Sequence, residues 1–208
     1  MVSRSDQKYV ITGIGTDVGK TVVSAIMSEA LEASYWKPIQ AGDLDNSDSI
    51  KIAEYTDKVN ILPEGYRLTQ PMSPHAAAEI DGVEILRNDL KLPEVKGNLI
   101  VEGAGGLMVP VNNQGLTFAD LIEDWNLPTL IVSRHYLGSI NHSLLTAEVL
   151  KSRGVDVRGF VFVGDENKAT EEIIEKSTGL RMIVRIPLAN HLDKNFIREQ
   201  AALIKPLL

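Results

Sequence analysis

Apolar runs with strand character alternate with apolar stripes at helical spacing along most of this chain. Lys8–Gly13 (KYVITG) is the first strand-like run, and Lys20–Ala33 follows with Val23, Ile26, Met27, Ala30 and Leu31 on one helical face. Tyr35–Ile39 is short and extended, broken by Pro38. Asn98–Glu102, Pro128–Ser133, Val157–Val163 and Arg181–Ile186 are further buried strands by the same criterion. Their β-branched, nearly continuous apolar character suits a parallel sheet covered on both faces. Helices are expected between them, over Thr117–Asp124, Ser139–Arg153, Ala169–Thr178 and Asp193–Ile204. This alternation predicts a three-layer α/β fold with a mostly parallel central sheet. The stretch Asp57–Leu92 is the least regular and reads as loops and short helices. No linker, repeat or low-complexity tract divides the chain, so residues 1–208 are expected to form a single domain.

The bulk properties narrow the function classes. Hydrophobic residues make up 44% and charged residues 24%, an ordinary globular mix. A formal charge of −7 argues against broad nucleic-acid binding. It leaves room for anionic substrates, because a few placed lysines serve a local site. The absence of cysteine excludes disulfides and thiolate metal sites. The start, Met1–Gln7, carries no apolar leader run, and no stretch reaches membrane-spanning length, so a soluble cytoplasmic protein is expected.

The strongest chemical signal is Gly13-Ile14-Gly15-Thr16-Asp17-Val18-Gly19-Lys20-Thr21, lying between the first strand and the first helix. Glycines let backbone N–H groups crowd around phosphate oxygens, and the helix N-terminus favours negative charge. Lys20 would reach the β- and γ-phosphates of a nucleotide, and Thr21 would offer its hydroxyl to Mg²⁺. The spacing is that of a deviant phosphate loop, with Ile14 where the first glycine is expected. The competing reading is a glycine-rich turn with a chance Gly-Lys-Thr.

Other candidates sit at expected strand ends, where open α/β sheets gather ligands. Glu102 closes Leu99-Ile100-Val101 and precedes Gly103-Ala104-Gly105-Gly106, so it can serve Mg²⁺ or be a turn acid. Lys37 follows the second strand and can neutralise charge on a transferred phosphoryl group, or be a surface lysine. Asp48 is a second Mg²⁺ candidate, or an acid in the first turn of a helix. His75 and His142 are read as capping or hydrogen-bonded structural residues.

Taken together, Thr12-Gly13, Val18–Thr21, Lys37-Pro38, Asn46-Ser47-Asp48, Ser73-Pro74-His75, Glu102–Gly106 and Leu137–His142 resemble the dethiobiotin synthetase family, in order and over nearly the whole chain. The resemblance implies a P-loop NTPase-like fold and an ATP- and Mg²⁺-dependent ring closure in biotin synthesis. The substrates would be 7,8-diaminononanoate (7,8-diaminopelargonate), CO₂ and ATP, joined through a carbamate and its mixed anhydride with phosphate.

The same resemblance implies that Lys20 and Lys37 stabilise the γ-phosphoryl group and that Thr21, Asp48 and Glu102 hold Mg²⁺. Nucleotide contacts would come from Thr16, Asp17, Val18, Gly19, Lys20, Thr21 and Val22, with Glu102, Gly103, Ala104 and Gly105. Gly164, Pro187 and Leu188 would line the base site. Ala41, Ser73, Pro74, Gly138, Ser139, Ile140 and Asn141 would contact the diamine, and the assembly would be a homodimer with the diamine near the subunit interface. Three positions depart from the family pattern: Ala41 replaces a frequent Ser or Thr, Tyr136 a frequent lysine, and Val163 an adenine-reading asparagine.

Other classes compete with this reading. A partition-type regulatory ATPase commonly carries a second lysine early in the loop, and Gly13–Val18 contains none. A cobyrinate-type amidoligase usually adds a glutaminase domain with a catalytic cysteine, and this chain has no cysteine. The retention of Lys20, Thr21, Lys37, Asp48 and Glu102 argues against an inactive homologue.

Overall fold

The computed structural model describes residues 6–208, so the Met1–Ser5 part of the leader reading lies outside it. Its core begins with β1 (Lys8–Gly13), α1 (Lys20–Leu31) and β2 (Ser34–Trp36). It continues through β6 (Leu99–Glu102), α4 (Phe118–Trp125), β7 (Thr129–Arg134), α5 (Ser139–Ser152), β8 (Val157–Val163), α6 (Lys168–Thr178), β9 (Met182–Ile186) and α7 (Lys194–Ile204). With β4 (Asn60–Ile61), the seven-stranded sheet runs β4-β2-β6-β1-β7-β8-β9, every pairing parallel. Helices α1 and α7 pack together on one face and α5 with α6 on the other, which gives the expected three layers. The central strands are dry: Val10, Ile11, Leu99, Ile100, Val101 and Ile131 are fully buried. That burial explains their unbroken apolar sequence.

Helix ends follow local chemistry. Thr117 and Asp193 lie just outside α4 and α7 as N-caps, where the sequence reading had them inside. Thr117 and Asp120 form a reciprocal capping box, which starts the helix one residue later than the polar pattern suggests.

One expectation is corrected. Tyr35–Ile39 is not one strand. After β2 the chain crosses at Lys37-Pro38 into β3 (Ile39–Ala41), which pairs with β5 (Tyr66–Leu68) in a separate two-stranded parallel sheet. Pro38 lacks the N–H that a continuing ladder needs. Its carbonyl instead accepts from Tyr66, and Gly65 approaches so closely that an added Cβ would lie 2.5 Å from that oxygen. The irregular 57–92 stretch also holds α3 (Pro74–Asp81), started by Pro74 and closed by Gly82 in the left-handed region. Asp48 opens α2 (Asp48–Tyr55), capped by Ser47.

Candidate active site

The phosphate-loop segment bends from β1 into α1 with Asp17 at φ 57° and Gly19 at φ 98°. Gly19 is compelled by more than its dihedral: a Cβ there would press on the Val163 methyls at 3.1 Å. Lys20 is buried and folds back, its Nζ donating to the Gly15 carbonyl at 2.7 Å. Burial, and then the neighbouring charge of Lys37, lowers the Lys20 ammonium to about 8.

Beside it, four elements meet. Thr21 comes from the first turn of α1, Lys37 from the end of β2, Asp48 from the first turn of α2, and Glu102 from the last position of β6. The Thr21 hydroxyl lies 2.8 Å from Asp48 Oδ1 and 3.1 Å from Glu102 Oε1. Lys37 Nζ is paired with Asp48 Oδ2 at 2.5 Å and Glu102 Oε1 at 3.0 Å, and it donates to the Gly103 carbonyl at 3.1 Å. Glu102 is fully buried and Lys37 nearly so. Burial works against the Lys37 charge, but the two carboxylates outweigh it and raise its pKa. Burial likewise opposes the Asp48 charge, yet Lys37 wins and brings that carboxyl to about 2.

The donor set fits a divalent cation. Two carboxylates and a hydroxyl converge, all hard oxygens, at the mouth of a phosphate loop. Mg²⁺ takes few protein ligands and completes its shell with phosphates and water. Among the described residues no group of three His, Cys, Asp or Glu side chains stands ready as a metal cage of its own.

The remaining predicted residues distribute unevenly. Gly103, Ala104 and Gly105 follow Glu102 directly, and a Cβ on the next residue, Gly106, would lie 3.6 Å from the Gly15 Cα, so this glycine run lies along the phosphate loop. Thr16 and Asp17 are exposed at the loop tip, Val18 is buried beneath it, and Val22 continues α1. Gly164 donates its N–H to Ile186, and Leu188 lies against it with Pro187 exposed beside them. Ala41 ends β3 next to Gly42, which packs against Pro71. Ser73 and Pro74 open α3, where the His75 N–H donates to Pro110.

Gly138, Ser139, Ile140 and Asn141 begin α5, with Ile140 and Asn141 exposed. Within the chain no hydrogen bond among the described residues joins them to Lys37, Asp48 or Glu102. Between α5 and the 106–110 loop lies an apolar cavity of about 380 Å³, bounded by Ile14, Met108, His142 and Leu145. Tyr136, at the position of a frequent lysine, holds His142 Nδ1 at 2.7 Å, and its hydroxyl is 3.9 Å from where a Gly15 Cβ would stand.

Sequence reasoning missed three supporting residues. The Tyr35 hydroxyl donates to Glu102 Oε2 at 2.9 Å. Gln40 accepts from the Asp48 backbone N–H at 3.2 Å and donates to the Gly42 carbonyl at 2.9 Å. Ser47 is fully buried and joins the cap of α2 to Glu64. Only Ser47 left a local signal, as a serine before a helix start.

A glycine-rich loop between a central strand and a helix, with a buried lysine, a following threonine and strand-end carboxylates, defines a P-loop nucleotide-binding protein. Solved structures agree on that fold: a ParA family ATPase from Chlorobium tepidum aligns with a TM-score of 0.59 at 13% identity, covering 98% of this chain and 92% of its own. The cell division ATPase MinD of Pyrococcus furiosus aligns at 0.57 and 14% identity, covering 98% and 100%. An AAA domain family model matches residues 7–195. The ATP-dependent dethiobiotin synthetase BioD of Christiangramia forsetii is 51% identical over 94% of both chains. That of Cytophaga hutchinsonii is 46% identical over 94% of this chain and 95% of its own. The chain belongs to the dethiobiotin synthetase family.

Proposed function

We propose that this chain, acting as one domain, is an ATP- and Mg²⁺-dependent dethiobiotin synthetase. It would close the ureido ring from 7,8-diaminononanoate and CO₂ and release ADP and phosphate. The observation that carries the reading is the convergence of Lys20, Thr21, Lys37, Asp48 and Glu102 at the phosphate loop, in a chain whose relatives bear that name.

The bonds made and broken are as follows. One substrate amine attacks CO₂ and loses a proton to solvent, giving a carbamate. A carbamate oxygen then takes the γ-phosphoryl group, and the bond from γ-phosphorus to the ADP oxygen breaks. The second amine attacks the carbamoyl carbon, phosphate leaves, and the attacking nitrogen gives up a proton to the departing phosphate or solvent. None of these steps needs a covalent enzyme nucleophile; they need alignment and charge neutralisation.

Lys20 and Lys37 bring two ammonium groups to the place where phosphoryl charge develops. Thr21, Asp48 and Glu102 would hold Mg²⁺, which when bound supplies positive charge to the nucleotide phosphates. Thr16–Val22 and Gly103–Gly105 wrap the phosphates with backbone N–H groups, while Gly164, Pro187 and Leu188 flank the base. Ala41, Ser73 and Pro74 face the reacting end of the diamine. The start of α5, Gly138–Asn141, receives the distant carboxylate from a second subunit, making the working unit a homodimer. No helix among the described residues is long and apolar enough to cross a membrane, and a cytoplasmic biosynthetic role fits that. The test is ADP release from ATP by purified protein with diamine, bicarbonate and Mg²⁺. Release that does not depend on the diamine would sink the assignment.

A further inference from the structure

Glu102 divides its two carboxylate oxygens between different duties. Oε1 faces the site, within 3.1 Å of the Thr21 hydroxyl and 3.0 Å of Lys37 Nζ. Oε2 faces the interior, where the Tyr35 hydroxyl donates to it at 2.9 Å. Both Tyr35 and Glu102 are fully buried. Strands β2 and β6 are parallel neighbours with Tyr35 opposite Ile100 and Trp36 opposite Val101, so the phenol reaches forward along the sheet to the carboxylate at the strand end. Tyr35 and Lys37 are two residues apart and both reach Glu102, one from beneath and one from the site.

A buried carboxylate needs donors, and the kind of donor decides what it can still do. A lysine neutralises the charge that a cation would use. A phenol satisfies one oxygen and leaves the negative charge on the group. A hydroxyl in a dry core also has to be used, because an unpaired one is costly to bury.

We propose that Tyr35 is a positioning residue for the metal site: its hydroxyl pins Glu102 Oε2 and thereby fixes Oε1 toward Thr21 and the incoming cation. The inference rests on the metal reading of Thr21, Asp48 and Glu102 given above. Groups that orient a metal ligand in this way change metal affinity by about 10- to 100-fold when removed.

The experiment measures Mn²⁺ binding by electron paramagnetic resonance in the full chain with a non-hydrolysable ATP analogue. Wild type, Tyr35→Phe, Glu102→Gln and the double variant are compared, with circular dichroism confirming the fold. Tyr35→Phe should weaken Mn²⁺ binding by about 10-fold or more while changing nucleotide affinity without metal little. In the Glu102→Gln background the same substitution should add less than about threefold, because the two residues act as one unit. If Glu102→Gln weakens Mn²⁺ binding and Tyr35→Phe does not, the role assigned to Tyr35 is wrong and the metal site stands. If Glu102→Gln itself leaves Mn²⁺ binding unchanged, the metal reading fails and the role of Tyr35 falls with it. Should Tyr35→Phe not fold, Tyr35→Met removes the hydroxyl with a more adaptable side chain and is judged by the same outcomes.

Discussion

Lys37 and Asp48 meet at 2.5 Å, with Glu102 3.0 Å from the same ammonium, so the lysine assigned to phosphoryl transfer is shared as counter-charge by both carboxylates assigned to the metal. The pairing explains how two acids tolerate each other in a nearly dry pocket. It also makes Lys37 and a divalent cation alternative counter-charges for the same oxygens.

Lys37→Ala should therefore lose turnover on the order of 100-fold, the usual cost of removing a preorganised charge from a transferring group. Nucleotide binding should persist, and thermal stability without metal should fall because two carboxylates lose their partner. Steady-state kinetics with a melting curve checks both; near-normal turnover would remove Lys37 from the chemistry.

Glu102→Gln should raise the Mg²⁺ concentration needed for half-maximal rate or abolish activity. Gln keeps the shape but not the charge, and Mg²⁺ prefers anionic oxygen. A magnesium titration indistinguishable from wild type would take Glu102 out of the metal site.

Nucleotide binding should take up a proton at alkaline pH. Lys20 titrates at about 8 in the free protein, against an ordinary value of 10.5. Phosphate favours its charged form, so above that pH binding and protonation are linked and affinity falls as pH rises. Calorimetric titration in buffers of differing ionisation heat reads the uptake directly, and a heat independent of buffer would contradict it. In the unliganded protein the unfolded chain holds this proton between about 8 and 10.5 while the folded chain does not, so the Lys20 contribution to stability rises with pH across that window.

Base selectivity should be loose. Val163 is nearly buried and spends its methyls against Gly19, leaving no side-chain amide to read adenine. GTP or CTP should then support a substantial fraction of the ATP rate. Rates with each nucleotide decide the matter: a preference for ATP above about 1,000-fold would mean that backbone near Gly164 or Pro187 reads the base.

Mixed dimers should complement. Ile140 and Asn141 at the start of α5 are exposed, and among the described residues of the chain no hydrogen bond joins them to the Lys37 cluster, as expected of residues serving a neighbouring subunit. Combining Lys37→Ala with Asn141→Ala subunits should restore one intact site per dimer. No recovery, with exchange verified and both parents impaired, would mean that both residues serve one site from one chain.

Legibility in the sequence followed the range of the interactions. Lys20 and Thr21 were readable because a contiguous motif between a strand and a helix contains its own geometry. Glu102 and Lys37 were readable as strand-end residues, since parallel sheets gather ligands there. Tyr35 was not: inside an apolar run it looks like core, and its partner lies 67 residues away. Gln40 was hidden for the same reason, because it supports Asp48 through a backbone N–H that leaves no mark on side-chain identity. The division of Tyr35–Ile39 between two sheets was also out of reach, since Pro38 announces a break but says nothing about which strand receives Ile39.

That division has an evolutionary side. The Lys37-Pro38 crossing anchors the lysine to the large sheet, beside Glu102 and the phosphate loop. Ala41 and its surroundings belong to the small sheet with β5. The two sheets are nonetheless tied at the site, since Gly65 donates to the Lys37 carbonyl at 3.2 Å and Gln40 of β3 accepts from the Asp48 N–H, so a lineage can vary the rest of the small sheet but must inherit these two bonds together with its lysine.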